Sequence, residues 1–293
     1  MAALIEGQYE LDGYLFGAGT PVTVLQDGDV TEAVEVRDQD IDRPAGDGVL
    51  FGRDYLTAPG REFIVMIEAP DAAAEFARLR AAHRADSVRA KPLAVSTLRW
   101  RRDGRTYRAY GRGRSFLPLL KGRPVASVRF AQFQFRYRDA LTFDDDPQTI
   151  ELGLVAASLS SGFTLPRTLP WVLGTIDGQR AGVVTVAGDA AVPFTAVING
   201  PTVGVASKLR LAGPGWLLDF GSLTLAPGQT IRVDTSGVGS ALRGGVSVAG
   251  YLSRSSTLTG RVRPGASEFV FSASDPSATA SAVVSWRPAA LTI

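Results

Sequence analysis

Over residues 128–138 apolar and polar side chains alternate, with Ala131, Phe133, Phe135 and Tyr137 on one face and Gln132, Gln134, Arg136 and Arg138 on the other. A period of two predicts a half-buried β-strand. The same period runs through residues 98–110 on both sides of Asp103-Gly104. That dipeptide signals a two-residue hairpin turn. The turn pairs Arg102 with Arg105, Arg101 with Thr106, Trp100 with Tyr107 and Arg99 with Arg108. Leu98, Trp100, Tyr107 and Ala109 then make the apolar side, and Arg99, Arg101 and Arg108 crowd the other. Directly opposed arginines are unfavourable, so the pattern predicts a negative group between Arg99 and Arg108.

Elsewhere in the first half the pattern changes period. Phe63-Ile64-Val65-Met66-Ile67 is apolar on both faces, as expected of a central strand. Asp71 after Pro70 reads as a helix N-cap, and Ala72, Phe76, Leu79 and His83 fall on one helical stripe. That stripe predicts a single helix with the chain's only histidine on its buried side, a packed residue more than a catalytic one. Residues 38–60 mix acids with Gly and Pro without a sustained period, and are expected to form an extended loop closing at Pro59-Gly60. Earlier, Gly13, Gly17, Gly19 and Pro21 punctuate short strands, and Val22-Thr23-Val24-Leu25 ends at Asp27-Gly28.

Beyond Asp144-Asp145-Asp146-Pro147 the texture differs. Short apolar stretches at 183–187, 194–198, 223–225, 231–234, 268–273 and 282–286 are separated by Gly and Pro turns, the spacing of a β-sandwich or barrel. The three aspartates lack the spacing of a calcium loop and read as a solvated linker. The boundary divides the chain into domains 1–146 and 147–293. Residues 164–171, with prolines at 166 and 170, are expected to form an extended arm that packs against a neighbour.

Composition narrows the function. The 293 residues include no cysteine and one histidine, which removes thiol nucleophiles, disulfides and zinc–thiolate sites. No apolar run reaches the length of a membrane span and the first residues lack the pattern of a signal peptide, so a cytosol-like compartment without membrane attachment is expected. The net charge is only +2, but residues 1–77 carry 4 Lys/Arg against 16 Asp/Glu, whereas residues 78–138 carry 17 against 2. The two blocks either neutralise each other within one domain or meet across a subunit interface.

No motif points to catalysis. Phe16-Gly17-Ala18-Gly19 and Gly237-Val238-Gly239 lack the helix and Lys-Ser/Thr of a phosphate loop. The serines have no histidine placed as base, and the carboxylates of the second half lie mostly beside turns. No catalytic, metal or cofactor residue is assigned. The arginine hairpin suggests a nucleic-acid platform, yet its register puts Trp100 and Tyr107 on the face opposite Arg99, Arg101 and Arg108, whereas stacking needs them together. An acidic protein surface, the chain's own residues 27–54 included, suits that face better. Arg99, Arg101, Arg108, Arg112 and Arg114 are therefore the candidate subunit-interface residues.

Several stretches in fixed order resemble one family. They are Pro59-Gly60-Arg61-Glu62-Phe63-Ile64-Val65-Met66-Ile67, the strand at 128–137 leading to Asp146-Pro147, and the connector Leu165-Pro166 through Leu169-Pro170. Ala196-Val197-Ile198-Asn199-Gly200-Pro201, the stretch 223–235 and Val262-Arg263-Pro264-Gly265 complete the set. Together they resemble the distal tail proteins of long, non-contractile-tailed bacteriophages of the kind infecting actinobacteria. The resemblance implies a mainly β fold: an N-terminal split-barrel-like belt domain with one α-helix, and a C-terminal galectin-like β-sandwich. It implies a non-enzymatic virion protein without cofactors, assembled in the host cytoplasm into a ring, a hexamer, at the distal end of the tail. The implied partners are copies of itself, the tail tube protein, the tail-tip or receptor-binding proteins and the tape measure protein. DNA passes through the lumen without specific binding.

A competing expectation is a lectin-like adhesin of the tail tip that grips host glycan through Trp171, Trp216 or another exposed aromatic. A cell-wall-degrading enzyme is a third.

Overall fold

The computed structural model describes residues 3–28, 36–119, 127–154, 181–275 and 277–291. The chain is mainly β and divides into two compact units, Met1–Asp146 with Ala289–Ile293, and Pro147–Pro288.

In the first unit β1 (Gln8–Leu11), β2 (Tyr14–Gly17) and β3 (Val22–Gly28) precede four two-residue strands, β4 (Val36–Arg37), β5 (Ile41–Asp42), β6 (Val49–Leu50) and β7 (Tyr55–Leu56). β8 (Gly60–Glu68) leads to α1 (Ala72–Arg84), the single turn α2 (Asp86–Arg89), β9 (Ser96–Arg102), β10 (Arg105–Leu119), β11 (Val128–Tyr137) and β12 (Leu141–Asp144). The antiparallel sheet runs β2-β1-β9-β10-β11-β8-β3, and β12 adds to β10. The sheet curls until its ends meet: the hydroxyl of Tyr9 on β1 bonds Asp27 on β3, and Phe16 of β2 packs edge-on against Phe63 of β8 at 5.6 Å. Curling makes one side of every strand interior, which is why the period-two pattern is so regular.

The core is aromatic. Phe63 stacks on Phe133 at 5.0 Å, Tyr9 on Phe16 at 5.2 Å, and Phe16 meets Phe133 edge-on at 5.8 Å. Ala131, Phe133, Phe135 and Tyr137 are all buried, the face that the alternation of β11 assigns inward. The β9–β10 hairpin has the predicted register throughout, Arg99 opposite Arg108 included. Its turn residues Asp103 and Gly104 both have positive φ, as a type I′ turn requires.

The Asp71 carboxylate caps α1 by accepting from the Ala74 amide at 2.9 Å. Ala72, Leu79 and His83 are buried, with Phe76 half-buried against Phe116 at 5.3 Å. The helix approaches β10 closely because that strand carries glycine at 113, where a Cβ would lie 2.3 Å from the His83 carbonyl oxygen. Gly113→Ala should therefore push helix and sheet apart. We expect a loss of about 3 kcal/mol in chemical denaturation, the upper end for overpacking because backbone cannot move aside as a side chain can. A variant within experimental error of the parent would show that the helix is not seated on that glycine.

The second unit is a β-sandwich. It comprises β13 (Gln148–Gly153), β14 (Ala181–Val186), β15 (Phe194–Asn199), β16 (Ser207–Gly213), β17 (Trp216–Asp219), β18 (Thr230–Asp234), β19 (Ser240–Arg243), β20 (Val246–Ser247), β21 (Gly265–Ser274) and β22 (Ser281–Trp286). One sheet runs β13-β22-β15-β18-β19-β20 and the other β14-β21-β16-β17. Their inner faces interlock through rings, Phe194 against Trp216 at 4.4 Å and Phe269 against Trp286 at 5.6 Å.

Three expectations need correction. Residues 36–56 form an antiparallel hairpin and not a loop, β4 pairing with β7 and β5 with β6. Leu223–Leu225 is no strand, since only Leu225 makes an isolated bridge, to Ala206. The terminal strand β23 (Ala289–Leu291) leaves the second unit and pairs with β12 in the first. The predicted arm at 164–171 lies outside the described residues.

Candidate functional site

The strongest concentration of charge in the first unit lies on the second face of the β9–β10 hairpin. β12 runs beside β10, Arg108 opposite Phe143, so the residue following it, Asp145, is set beside the paired arginines. The Asp145 carboxylate accepts from Arg99 Nη2 at 2.6 Å and from Arg108 Nη2 at 2.6 Å. On the other side Arg99 Nη1 donates to Glu10 of β1 at 2.6 Å. Glu10 reaches this place because β1 pairs with β9, Glu10 opposite Arg99. Burial alone would raise the Asp145 carboxyl, but the two guanidiniums outweigh it and hold it below the ordinary carboxylate value. Arg99 is pushed up in turn, first by its bond to Asp145.

The negative group expected between Arg99 and Arg108 is thus supplied by the same chain. Both arginines are buried, and the expectation that they face a neighbouring subunit is corrected accordingly. The reading of Asp144-Asp145-Asp146 as a solvated linker also fails at its middle residue, whose side chain is only 13% exposed. Arg112 likewise turns inward along the surface, donating from Nε to Ala94 O at 2.7 Å and from Nη2 to Lys91 O at 2.8 Å. Of the five candidate arginines, Arg101 and Arg114 keep surface to offer: Arg114 is exposed, and Arg101 is half-exposed, 4.0 Å from Glu6.

A second charge cluster joins three strands that the sequence leaves unconnected. Arg61 of β8 donates from Nε to Asp27 Oδ1 of β3 at 2.7 Å, and its guanidinium lies 4.5 Å from the centre of the Trp100 ring. Tyr9 bonds the same carboxylate. Burial pushes the Tyr9 hydroxyl up, and its bond to Asp27 adds to the effect. For Arg61 burial acts downward, yet pairing with Asp27 prevails and its pKa is raised.

His83 lies where the helical stripe puts it, its Nε2 3.0 Å from the Gln134 carbonyl oxygen and its ring 5.5 Å from Phe133. Burial lowers its pKa from 6.5; the carbonyl opposes this and the charge of Arg89 reinforces it. The folded chain therefore keeps this ring neutral, while the unfolded chain protonates it below about 6.5. The corresponding stability is present above that pH and is lost as pH falls toward the depressed folded value. Because this is the chain's only histidine, the slope of unfolding free energy between pH 7 and pH 5 should flatten in His83→Gln. An unchanged slope would refute the assignment.

Trp216, an aromatic proposed to grip glycan, is 5% exposed, and Cβ atoms added at Gly213 and Gly260 would fall within 3 Å of its ring. It is a core residue and the glycan role is corrected. Trp171 lies outside the described residues. Among the described residues no group of three or more His, Asp or Glu is placed to hold a metal ion, and no helix is long and apolar enough to cross a membrane.

No family model matches the chain, and no curated protein does. Among solved structures, it is similar to the Dit protein of phage SPP1, described as a paradigm of the hub adsorption apparatus in phages infecting Gram-positive bacteria. The two share 10% identity over 96% of this chain and 98% of that one, with a TM-score of 0.56. It is also similar to a chain of the phage P2 baseplate in its activated conformation with calcium, at 14% identity over 96% and 97% of the two chains and a TM-score of 0.54. The corresponding baseplate with strontium matches at 14% identity over 95% and 97%, with a TM-score of 0.53. From end to end, both units in order, this chain has the fold of phage tail hub and baseplate proteins.

Proposed function

We propose that the chain is a structural virion protein that forms the ring-shaped hub at the distal end of a phage tail, joining the tail tube to the tail-tip or receptor-binding proteins. One observation carries the reading: likeness to hub and baseplate chains covers 95% or more of each partner, so it runs along the whole chain and is not confined to one part of it. In this reading the first unit builds the ring, a hexamer, and DNA passes through its lumen without specific contacts. The tape measure protein is a further contact. The role is non-enzymatic: the strongest charge clusters are arginine–carboxylate pairs closed within the first unit, and His83 is sealed in the core. Of the five candidate arginines, Arg101 and Arg114 are the ones proposed to face a neighbour.

Native mass spectrometry of the purified chain, with negative-stain imaging, should show a closed ring of several copies. A chain that stays monomeric at every concentration, or that turns over a cell-wall polymer, would overturn the reading.

A further inference from the structure

The β10–β11 pairing repeats the problem that Asp145 solves between β9 and β10. Arg112 stands directly opposite Arg136, two cations across one antiparallel pair. Like charges so placed are unfavourable unless an anion lies between them. Between Arg99 and Arg108 the chain supplies that anion itself. Here it does not: among the described residues neither Arg112 nor Arg136 has an acidic partner. The acids at adjoining positions are engaged elsewhere. Glu62, opposite Gln134 on β8, accepts from Gln132 of β11, and Asp139 pairs with Arg138 at 2.8 Å.

Backbone carbonyls take the place of carboxylates in this region. Arg112 donates to the carbonyls of Ala94 and Lys91, and Arg89 Nη2 donates to Gly113 O, beside Arg112, at 2.9 Å. Arg89, Lys91 and Arg136 are exposed, and neither Arg89 nor Lys91 has an acidic partner among the described residues. Asp86, the acid at the start of α2, is paired with Arg84. A carbonyl fixes the position of a guanidinium without cancelling its charge. Arg89, Lys91, Arg112 and Arg136 are thus collected by β10, β11 and the α2 loop with their charge intact, the electrostatic footprint of a polyanion site.

From this arrangement we infer that the Arg112–Arg136 face of the first unit is a sequence-independent site for the phosphates of a nucleic-acid backbone. Each phosphate brings the anion that the opposed pair lacks, and an arginine suits it by geometry as well as charge. No aromatic ring of the first unit outside residues 36–56 is exposed among the described residues, so backbone charge and not base stacking carries the contact. The inference rests on the hub reading only for the identity of the strand, the DNA that passes through the ring. Contacts of this kind are weak and permit sliding, which a passage requires.

Fluorescence anisotropy of a short labelled duplex tests the site on the full chain. The parent should bind with an affinity that falls steeply with salt and differs little between AT-rich and GC-rich duplexes. Arg136→Gln with Lys91→Gln should weaken binding at low salt by at least about tenfold and reduce the slope of log K against log salt by about 2, one for each lost phosphate contact. Thermal unfolding of this variant should not fall, because one of two opposed cations is removed and no hydrogen bond among the described residues goes with it. Arg80→Gln with Arg105→Gln removes the same charge elsewhere on the first unit and should leave binding unchanged. An equal loss in that control would mean that net charge alone attracts the duplex, and the site would be overturned. Polyglutamate that displaces the duplex as well as unlabelled DNA of equal charge does would also overturn it, in favour of an acidic protein partner. A parent that forms rings in native mass spectrometry without binding the duplex overturns the site and leaves the hub reading standing. One that binds through these residues and never assembles does the reverse.

Discussion

Asp145→Ala should be among the most damaging single changes in the first unit, lowering its unfolding free energy by about 3 to 5 kcal/mol. The substitution deletes the hydrogen bonds that both guanidiniums make to this carboxylate, and the larger cost lies in what it leaves behind. Arg99 and Arg108 are opposed across a hairpin and both buried, and Asp145 is the carboxylate that both share. Without it, Glu10 holds one guanidinium and the like-charged neighbours face each other at cross-strand distance. Hydrogen exchange gives the cleanest readout, because amides of β9, β10 and β12 should lose protection while those of β15 and β22 in the second unit serve as an internal reference. Asp145→Asn, which keeps one acceptor, should fall between variant and parent. Equal protection in all three would mean that the arginines find other partners, and the clamp would be refuted. The pH dependence runs the same way: Asp145 is depressed below the ordinary carboxylate value, so its contribution is present above that value and disappears as pH falls through the lower folded one.

The same geometry explains what could be read from sequence here and what could not. The β9–β10 register was legible because it is local: Asp103-Gly104 fixes the turn, and every pairing follows by counting outward. The buried stripe of α1, and with it the placement of His83, was legible for the same reason. The opposed arginines even demanded an acid. What counting along the chain cannot supply is which acid: Glu10 and Asp145 lie 89 and 46 residues from Arg99. Asp145 moreover sits in a run of three aspartates whose composition is that of a solvated linker. The hairpin at 36–56 was missed because its two short ribbons break the period-two pattern at Gly52, which packs against Gln39, and because its apolar residues are all exposed, so no buried face marks them in the sequence. The return of β23 to the first unit follows from long-range pairing and has no local signature.

Arg61→Ala should cost about as much, about 3 to 5 kcal/mol, for a related but separable reason. Arg61 is a buried cation held between rings, 4.5 Å from Trp100 and 5.4 Å from Phe63, and its charge is matched by Asp27. Truncation removes the packing of its stem, the cation–π contact and the counter-ion of a carboxylate whose remaining side-chain partner among the described residues is Tyr9. These contributions can be separated. Arg61→Met keeps most of the volume and loses the charge, so it should remain strongly destabilising while Asp27 is present. Paired with Asp27→Leu it should recover much of the loss, since replacing a whole buried ion pair by apolar groups is often neutral. If the double variant is no more stable than Arg61→Met alone, the stranded carboxylate is not the source of the cost and packing around Trp100 is. The position matters because Tyr9, Asp27 and Arg61 belong to β1, β3 and β8, strands from both ends of the sheet order. A loosened cluster would therefore open the curl itself, and the first amides to lose protection should be those of β2 and β3, well ahead of those of β10 and β11 at the centre of the sheet.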